Sequence, residues 1–189
     1  MTDFSEDRLA DLAVALGANS WAFINVVDIT FRDEFRKLCE ANRCGSYDRG
    51  WMCPPAVGAL EDLIADLKRR SRAMVFTSAS QLENSFDFKG MVKAGDVFAQ
   101  LVQNIAARAA QVWPEFFILV LGAGPCKVCR KCAYPDGDQC RHPEQAVRSL
   151  ESNGVDVGQL AKLTGLKYNN GPGTVTYFGA VFFNPGPVQ

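Results

Sequence analysis

Seven cysteines are the residues of this chain best suited to chemistry, and they fall into two groups. Cys126, Cys129, Cys132 and Cys140 lie within fifteen residues, in LGAGPCKVCRKCAYPDGDQCRHP. Cys39, Cys44 and Cys53 lie far upstream, in CEANRCGSYDRGWMCPP. Packing cysteines scatter among apolar neighbours, whereas these stand among Gly, Pro and charged residues. Disulfide frameworks belong to oxidising compartments, and an odd count leaves one thiol over. Metal ligation is the chemistry this pattern suits best.

The downstream group reads Cys-x2-Cys-x2-Cys-x7-Cys. Overlapping two-residue spacings let a tight loop present three thiolates to one small centre, as in the bacterial ferredoxin run. The turn PDGD (135–138) gives the chain room to fold back and add Cys140. Zinc sites more often use two separated Cys-x2-Cys knuckles or mix Cys with His. The spacing therefore points to a 4Fe–4S cluster, with zinc as the alternative. Lys127, Arg130, Lys131 and Arg141 interleave with the thiols. Cations stabilise a negatively charged cluster and tune its potential; the other reading of all four is solvated loop charge.

The upstream group, Cys39-x4-Cys44-x8-Cys53, offers three thiols, enough for a second cluster with one iron left open. An open iron is a Lewis acid that binds substrate, as an open zinc position does. The alternative has Cys39 packed on a helix face, leaving only Cys44 and Cys53 as ligands. Pro54-Pro55 stiffens the backbone after Cys53 and removes two N–H donors. Tyr47 and Trp51 either shield a cluster or pack as core aromatics. The one histidine, His142, is a ligand or proton donor in one reading and a structural hydrogen-bonding residue in the other. The GAG at 122–124 lacks the third glycine and the helix of a nucleotide loop.

The elements that must hold these groups follow from periodicity. Ser5 to Leu16 reads as a helix with Ser5 as N-cap and Glu6 and Asp7 favouring its dipole. WAFINVVDITF (21–31) reads as a strand, and Arg32 to Asn42 as a helix ending at the first cysteines. Leu60, Leu63, Ile64 and Leu67 form the stripe of an amphipathic helix, followed by the strand RAMVFTSA (72–79). A long helix over Val97 to Val112 stops at Pro114. EFFILVLG (115–122), apolar on both faces, reads as a central strand. His142 to Ser152 and Val157 to Leu163 read as helices, and TVTYFGAVFF (174–183) as the last strand. The expected fold is a single compact α/β or α+β domain, 1–189, with about four strands covered by helices and cysteine-rich loops.

Twenty basic and twenty-one acidic residues nearly cancel, which argues against a nucleic-acid partner. No apolar run reaches the length of a membrane span. The acidic N-terminus lacks the basic start of a signal peptide, so the expectation is a cytoplasmic protein with no membrane partner.

Three blocks of residues then resemble one family. They are Cys44-x2-Tyr47-x3-Trp51-x-Cys53-Pro54-Pro55, LGAGPC-x2-C-x2-C-x7-CRHP, and Ser149-Leu150-Glu151-Ser152-x-Gly154-Val155-Asp156-Val157. Over about Val26 to Phe183 the chain resembles the domain-of-unknown-function 2284 family of predicted metal-binding proteins. That family usually has Gly-Lys after the tyrosine, where this chain has Asp48-Arg49. The resemblance implies a metal-binding, iron–sulfur protein of mainly anaerobic microbes and supplies no reaction. Three functions compete: a redox enzyme or enzyme component with an open iron on the upstream trio, an electron carrier for a redox partner protein, and a zinc-stabilised binding module. A small-molecule substrate belongs to the first of these.

Overall fold

The structure, a computed structural model, describes residues 4–186. Helix α1 (Glu6–Leu16) begins where Ser5 caps it, the Ser5 hydroxyl oxygen accepting from Arg8 N at 3.2 Å. Strand β1 (Ser20–Asn25) is shorter than its composition predicts. Asn25 donates to Asp28 across a 3-10 turn at Val26–Asp28, a local bond that competes with the ladder and ends the strand. Helix α2 (Asp33–Glu40) and α3 (Leu60–Lys68) match their stripes. Strand β2 spans Arg72–Gln81, and α4 runs from Phe88 to Val112. The sequence reading starts α4 nine residues later; its true start is set by Asp87, whose carboxylate accepts from Gly90 N at 2.8 Å.

The two apolar runs that follow depart furthest from expectation. Strand β3 covers only Leu119–Gly122. Phe116 and Phe117 leave the ladder because their rings find better partners: Phe116 stacks on Phe4, and Phe117 lies 3.8 Å beneath the Arg70 guanidinium. The helix expected over His142–Ser152 does not form. Residues 148 and 149 instead make a two-residue strand, β4 (Arg148–Ser149), parallel to β3, and a 3-10 turn follows at Glu151–Asn153. Sheet pairing and burial of Leu150 override helix propensity there. Helix α5 (Val157–Thr164) and strand β5 (Thr174–Phe183) fall where predicted.

One five-stranded mixed sheet results, in the order β1-β2-β5-β3-β4. All pairings are antiparallel except β3 with β4. The expected four strands become five through β4, and β3 is an interior strand beside the central β5. Alternation along β2 sends Met74 and Phe76 to one face and Ala73 and Val75 to the other. The first face packs on Leu9 and Ala13 of α1 and Phe98 and Ile105 of α4. The second packs on Leu67 of α3 and Leu160 of α5. Sheet and helices thus form one compact α+β domain.

Both cysteine loops leave from this frame at one end. The connection between parallel strands, usually a helix, is here the loop 123–147 that carries the downstream thiols. Its return is anchored by Asp66 of α3, which accepts from Arg148 at 2.9 Å and Arg70 at 3.1 Å. The Asp66 carboxyl is desolvated, which raises its pKa, but the hydrogen bonds from Arg148 and Arg70 outweigh this and hold it below the usual carboxylate range.

Two stability measurements test this frame. A lowered carboxyl pKa stabilises above the unfolded-state value and is lost as pH falls through the folded one. Asp66→Asn is therefore expected to lower the denaturant midpoint at pH 7, with the gap to wild type closing below about pH 4. Gly179 faces Phe76 across the β2–β5 ladder, where an added Cβ would meet the buried ring at overlap distance. Gly179→Ala is expected to cost about 1–3 kcal/mol in chemical denaturation.

Candidate metal centre

The upstream thiols are presented by the end of α2 and the loop 41–59. Cys39 sits in the last turn of α2, on the same side as Phe35 and Leu38. No residue of α2 is buried, and Leu38 is 54% exposed. An amphipathic helix that buries nothing in a core is turning its stripe to something else. That something is a cavity of about 410 Å3, lined by Phe35, Leu38, Cys39, Cys44, Cys53 and Glu151 among others.

Beyond α2 the chain turns tightly, using left-handed backbone at Asn42, Gly45 and Asp48. Side chains replace the missing ladder: Tyr47 N donates to Asn42 Oδ1 at 3.0 Å, and Asp48 N to the Pro54 carbonyl at 2.8 Å. These bonds return Cys53 toward the sheet, with Pro54 buried behind it.

The downstream thiols surround a second cavity of about 200 Å3. Cys126, Cys129, Cys132 and Cys140 all line it, together with Cys53, Arg130 and His142. The four cysteines are half-buried, as ligands facing a void at the surface should be. Loop 123–147 has left-handed glycines at 124 and 137, and PDGD folds back through a 3-10 turn at Tyr134–Asp136.

The two loops are joined to each other. Trp51 Nε1 donates to the Asp138 carbonyl at 3.0 Å, and Tyr134 Oη donates to Asp48 Oδ1 at 2.7 Å. The Trp51 and Tyr134 rings meet edge to face with centroids 5.0 Å apart. Gly50 lies against Cys132, whose Sγ is 3.8 Å from where a Cβ would stand.

Cys53 consequently lines both cavities. Desolvation pushes its thiol up to about 11, with further upward pushes from Cys44, Cys39, Cys126 and Cys132. Burial likewise raises Cys39, helped by Cys44 and Glu151 and opposed by Arg36. The same electrostatics therefore detect both thiol groups at one sulfur.

The four cations expected around the downstream thiols divide. Arg130 lines the smaller cavity. Lys127 is 2.6 Å from Asp96 of α4, Lys131 is 2.8 Å from Asp136, and Arg141 donates to the Lys131 carbonyl at 3.2 Å. These three pin the loop to α4 and to itself. Trp51 lines the smaller cavity and Tyr47 the larger, and neither belongs to the core clusters.

The sequence reading gave no role to Glu151, which stands in the larger cavity's wall. Its Oε2 is sealed from solvent and has no hydrogen-bond partner among the described residues. Burial pushes its carboxyl pKa up, against the pull of its own backbone N–H, the Ser149 hydroxyl and the Gly124 N–H. Cysteine spacing carries no signal for it, because the wall exists only once β4 pairs with β3.

Among the described residues, no three Cys, His, Asp or Glu side chains are grouped to hold a single metal ion. The thiols stand around voids instead of converging on points.

Cysteines line two adjoining cavities at one end of the sheet, with the single histidine in the wall of the smaller. The chain belongs to the family described as "Predicted metal-binding protein (DUF2284)", whose profile matches residues 22–183. No curated protein and no solved structure matches it. Among the described residues no helix is long and apolar enough to cross a membrane.

The thiol environments predict an order of reactivity. In reduced, metal-free protein at pH 8, iodoacetamide should alkylate exposed Cys44 first and Cys53 last, as read by peptide mass spectrometry. The Cys53 rate should climb about tenfold per pH unit towards 11, because only the thiolate reacts. Equal rates at Cys44 and Cys53 would contradict this arrangement.

Proposed function

We propose that this chain is an iron–sulfur protein acting as a redox enzyme or a component of one. Cys126, Cys129, Cys132 and Cys140 hold a 4Fe–4S cluster. Cys39, Cys44 and Cys53 hold a second cluster with one iron free of thiolate. The observation that carries the reading is the division of thiols between two adjoining cavities: Cys126, Cys129, Cys132 and Cys140 line the smaller, Cys39 and Cys44 the larger, and Cys53 lines both.

When bound, such a pair supplies electrons at one centre and a Lewis-acidic iron at the other. The chain's own residues do the rest. Phe35, Leu38 and Tyr47 present an apolar wall to the larger cavity, which excludes water from a reacting ligand. Arg130 brings positive charge to the smaller cavity, where four thiolates leave an excess of negative charge. Cys53 keeps the centres one side chain apart, a separation that favours electron passage between them. A small-molecule substrate enters beside the trio, and a redox partner protein approaches the half-exposed downstream loop.

The test is anaerobic purification with iron, sulfide and zinc counted, followed by EPR of the reduced protein. About eight irons per chain are expected, in two distinguishable centres. Cys126→Ser should remove one centre and much of the stability, because a structural metal contributes directly to folding. Cys44→Ser should remove the other and leave the first intact. A colourless protein containing zinc would overturn the proposal in favour of a zinc-stabilised module. Four irons in one centre that cycles reversibly would leave an electron carrier instead.

A further inference from the structure

We propose that the larger cavity binds a small organic acid, with Arg43 pairing the carboxylate and the apolar wall taking the body. The inference deepens, and rests on, the reading that a small-molecule substrate enters this cavity, and it names the chemical class of that substrate.

The first ground is where the unused cations lie. The guanidinium groups of Arg43, Arg49 and Arg130 have no hydrogen bond, ion pair or ring contact among the described residues. The other arginines are all engaged. Arg36, on the helix just before Arg43, donates to the carbonyls of Ser152 and Gly58. All three unused arginines line the thiol cavities: Arg49 and Arg130 the smaller, Arg43 the larger. In the smaller cavity the negative charge of a four-thiolate centre accounts for such cations. Arg43 is the one arginine of the larger cavity, and no ion pair joins it to Glu151, the one carboxylic acid in that wall. A guanidinium is a planar fork of donors that matches a carboxylate bidentately.

The second ground is room. The larger cavity measures about 410 Å3 against about 200 Å3 for the smaller, although fewer cysteines line it. Two centres of one kind need similar space, so the larger cavity has volume left for a second occupant. Small-molecule sites span roughly 300–1,000 Å3, and they pair a mainly apolar wall with a few polar groups.

The third ground is the wall itself. Phe35 and Leu38 come from α2, a helix with no buried residue, and Leu38 is 54% exposed. Tyr47 adds an aromatic ring to the same wall, and Arg43 is solvent-exposed at its rim. An inorganic anion would satisfy Arg43 and leave the apolar surface bare. A neutral apolar molecule would do the reverse. A carboxylate on an apolar body answers both.

The experiment titrates the anaerobically reconstituted protein with phenylacetate, phenylacetamide and acetate by calorimetry, with EPR of the reduced protein reporting both centres and the fold. Wild type is expected to bind phenylacetate at least about tenfold tighter than the amide or acetate. Arg43→Gln should abolish the preference for the acid while leaving amide binding unchanged, and Arg43→Lys should restore part of it. Arg49→Gln, which alters the smaller cavity, should bind phenylacetate as wild type does. Equal affinity for acid and amide overturns the assignment, as does binding of no probe by protein that shows both centres. If Arg43→Gln shifts the trio's reduction potential but not acid binding, Arg43 is a counter-charge to the centre; the assignment falls and the two-cluster reading survives. If Cys44→Ser changes no EPR signal while Arg43-dependent acid binding persists, the cluster on the trio falls and the organic-acid site stands.

Discussion

The thiol end of this protein depends on how the loop after α2 seats against the loop after β3. Neither loop contains an α-helix or strand, so backbone ladders cannot hold them. The seat is made by Trp51 reaching the Asp138 carbonyl, Tyr134 reaching Asp48, and the two rings meeting edge to face. Tyrosine and tryptophan suit this place because each pairs a large apolar surface with a polar tip. Gly50 lets the chain pass close to Cys132. Without this seat Cys53 would belong to one loop alone, and the two thiol groups would be separate features.

Bringing the thiols together has an electrostatic cost that shapes the chemistry. As neutral groups they tolerate each other and partial burial. As thiolates they repel, and burial first, with that repulsion second, pushes the Cys53 thiol up to about 11. A metal centre reverses that balance by supplying the positive charge. Metal uptake at such a site releases protons and is favoured at higher pH, and the loops gain order from it.

The sheet contributes position. Strands β2 and β5 pair along ten residues each and carry the core on both faces. Beside them, β3 ends at Gly122 and β4 returns in parallel two residues long. That short pairing, with Asp66 holding Arg148, fixes the exit and the re-entry of the downstream cysteine loop. It also sets the turn that places Glu151 in the wall of the larger cavity. Helix α2 then closes that cavity with an apolar face that has no core to cover.

Much of this was legible in the residues. Helices α1, α3 and α5 and strands β2 and β5 follow from local periodicity, because each buries one face or stripe against the same core. The two cysteine groups follow from spacing, which is local too, and the family match agrees on metal. What local signals missed were outcomes of competition. Phe116 and Phe117 were drawn off the sheet by Phe4 and Arg70, Asn25 ended β1 early, and the helix expected over His142 to Ser152 gave way to a parallel pairing of Arg148 and Ser149. By itself the sequence determined which thiols exist, how they group and which segments form the frame, since these depend on neighbours in the chain. Only the tertiary structure decided that Cys53 lines both cavities and that Glu151 stands in the wall of the one that Cys39 and Cys44 line. Those proximities span some seventy to a hundred residues of chain, and they arise from loop packing and strand order that no local pattern encodes.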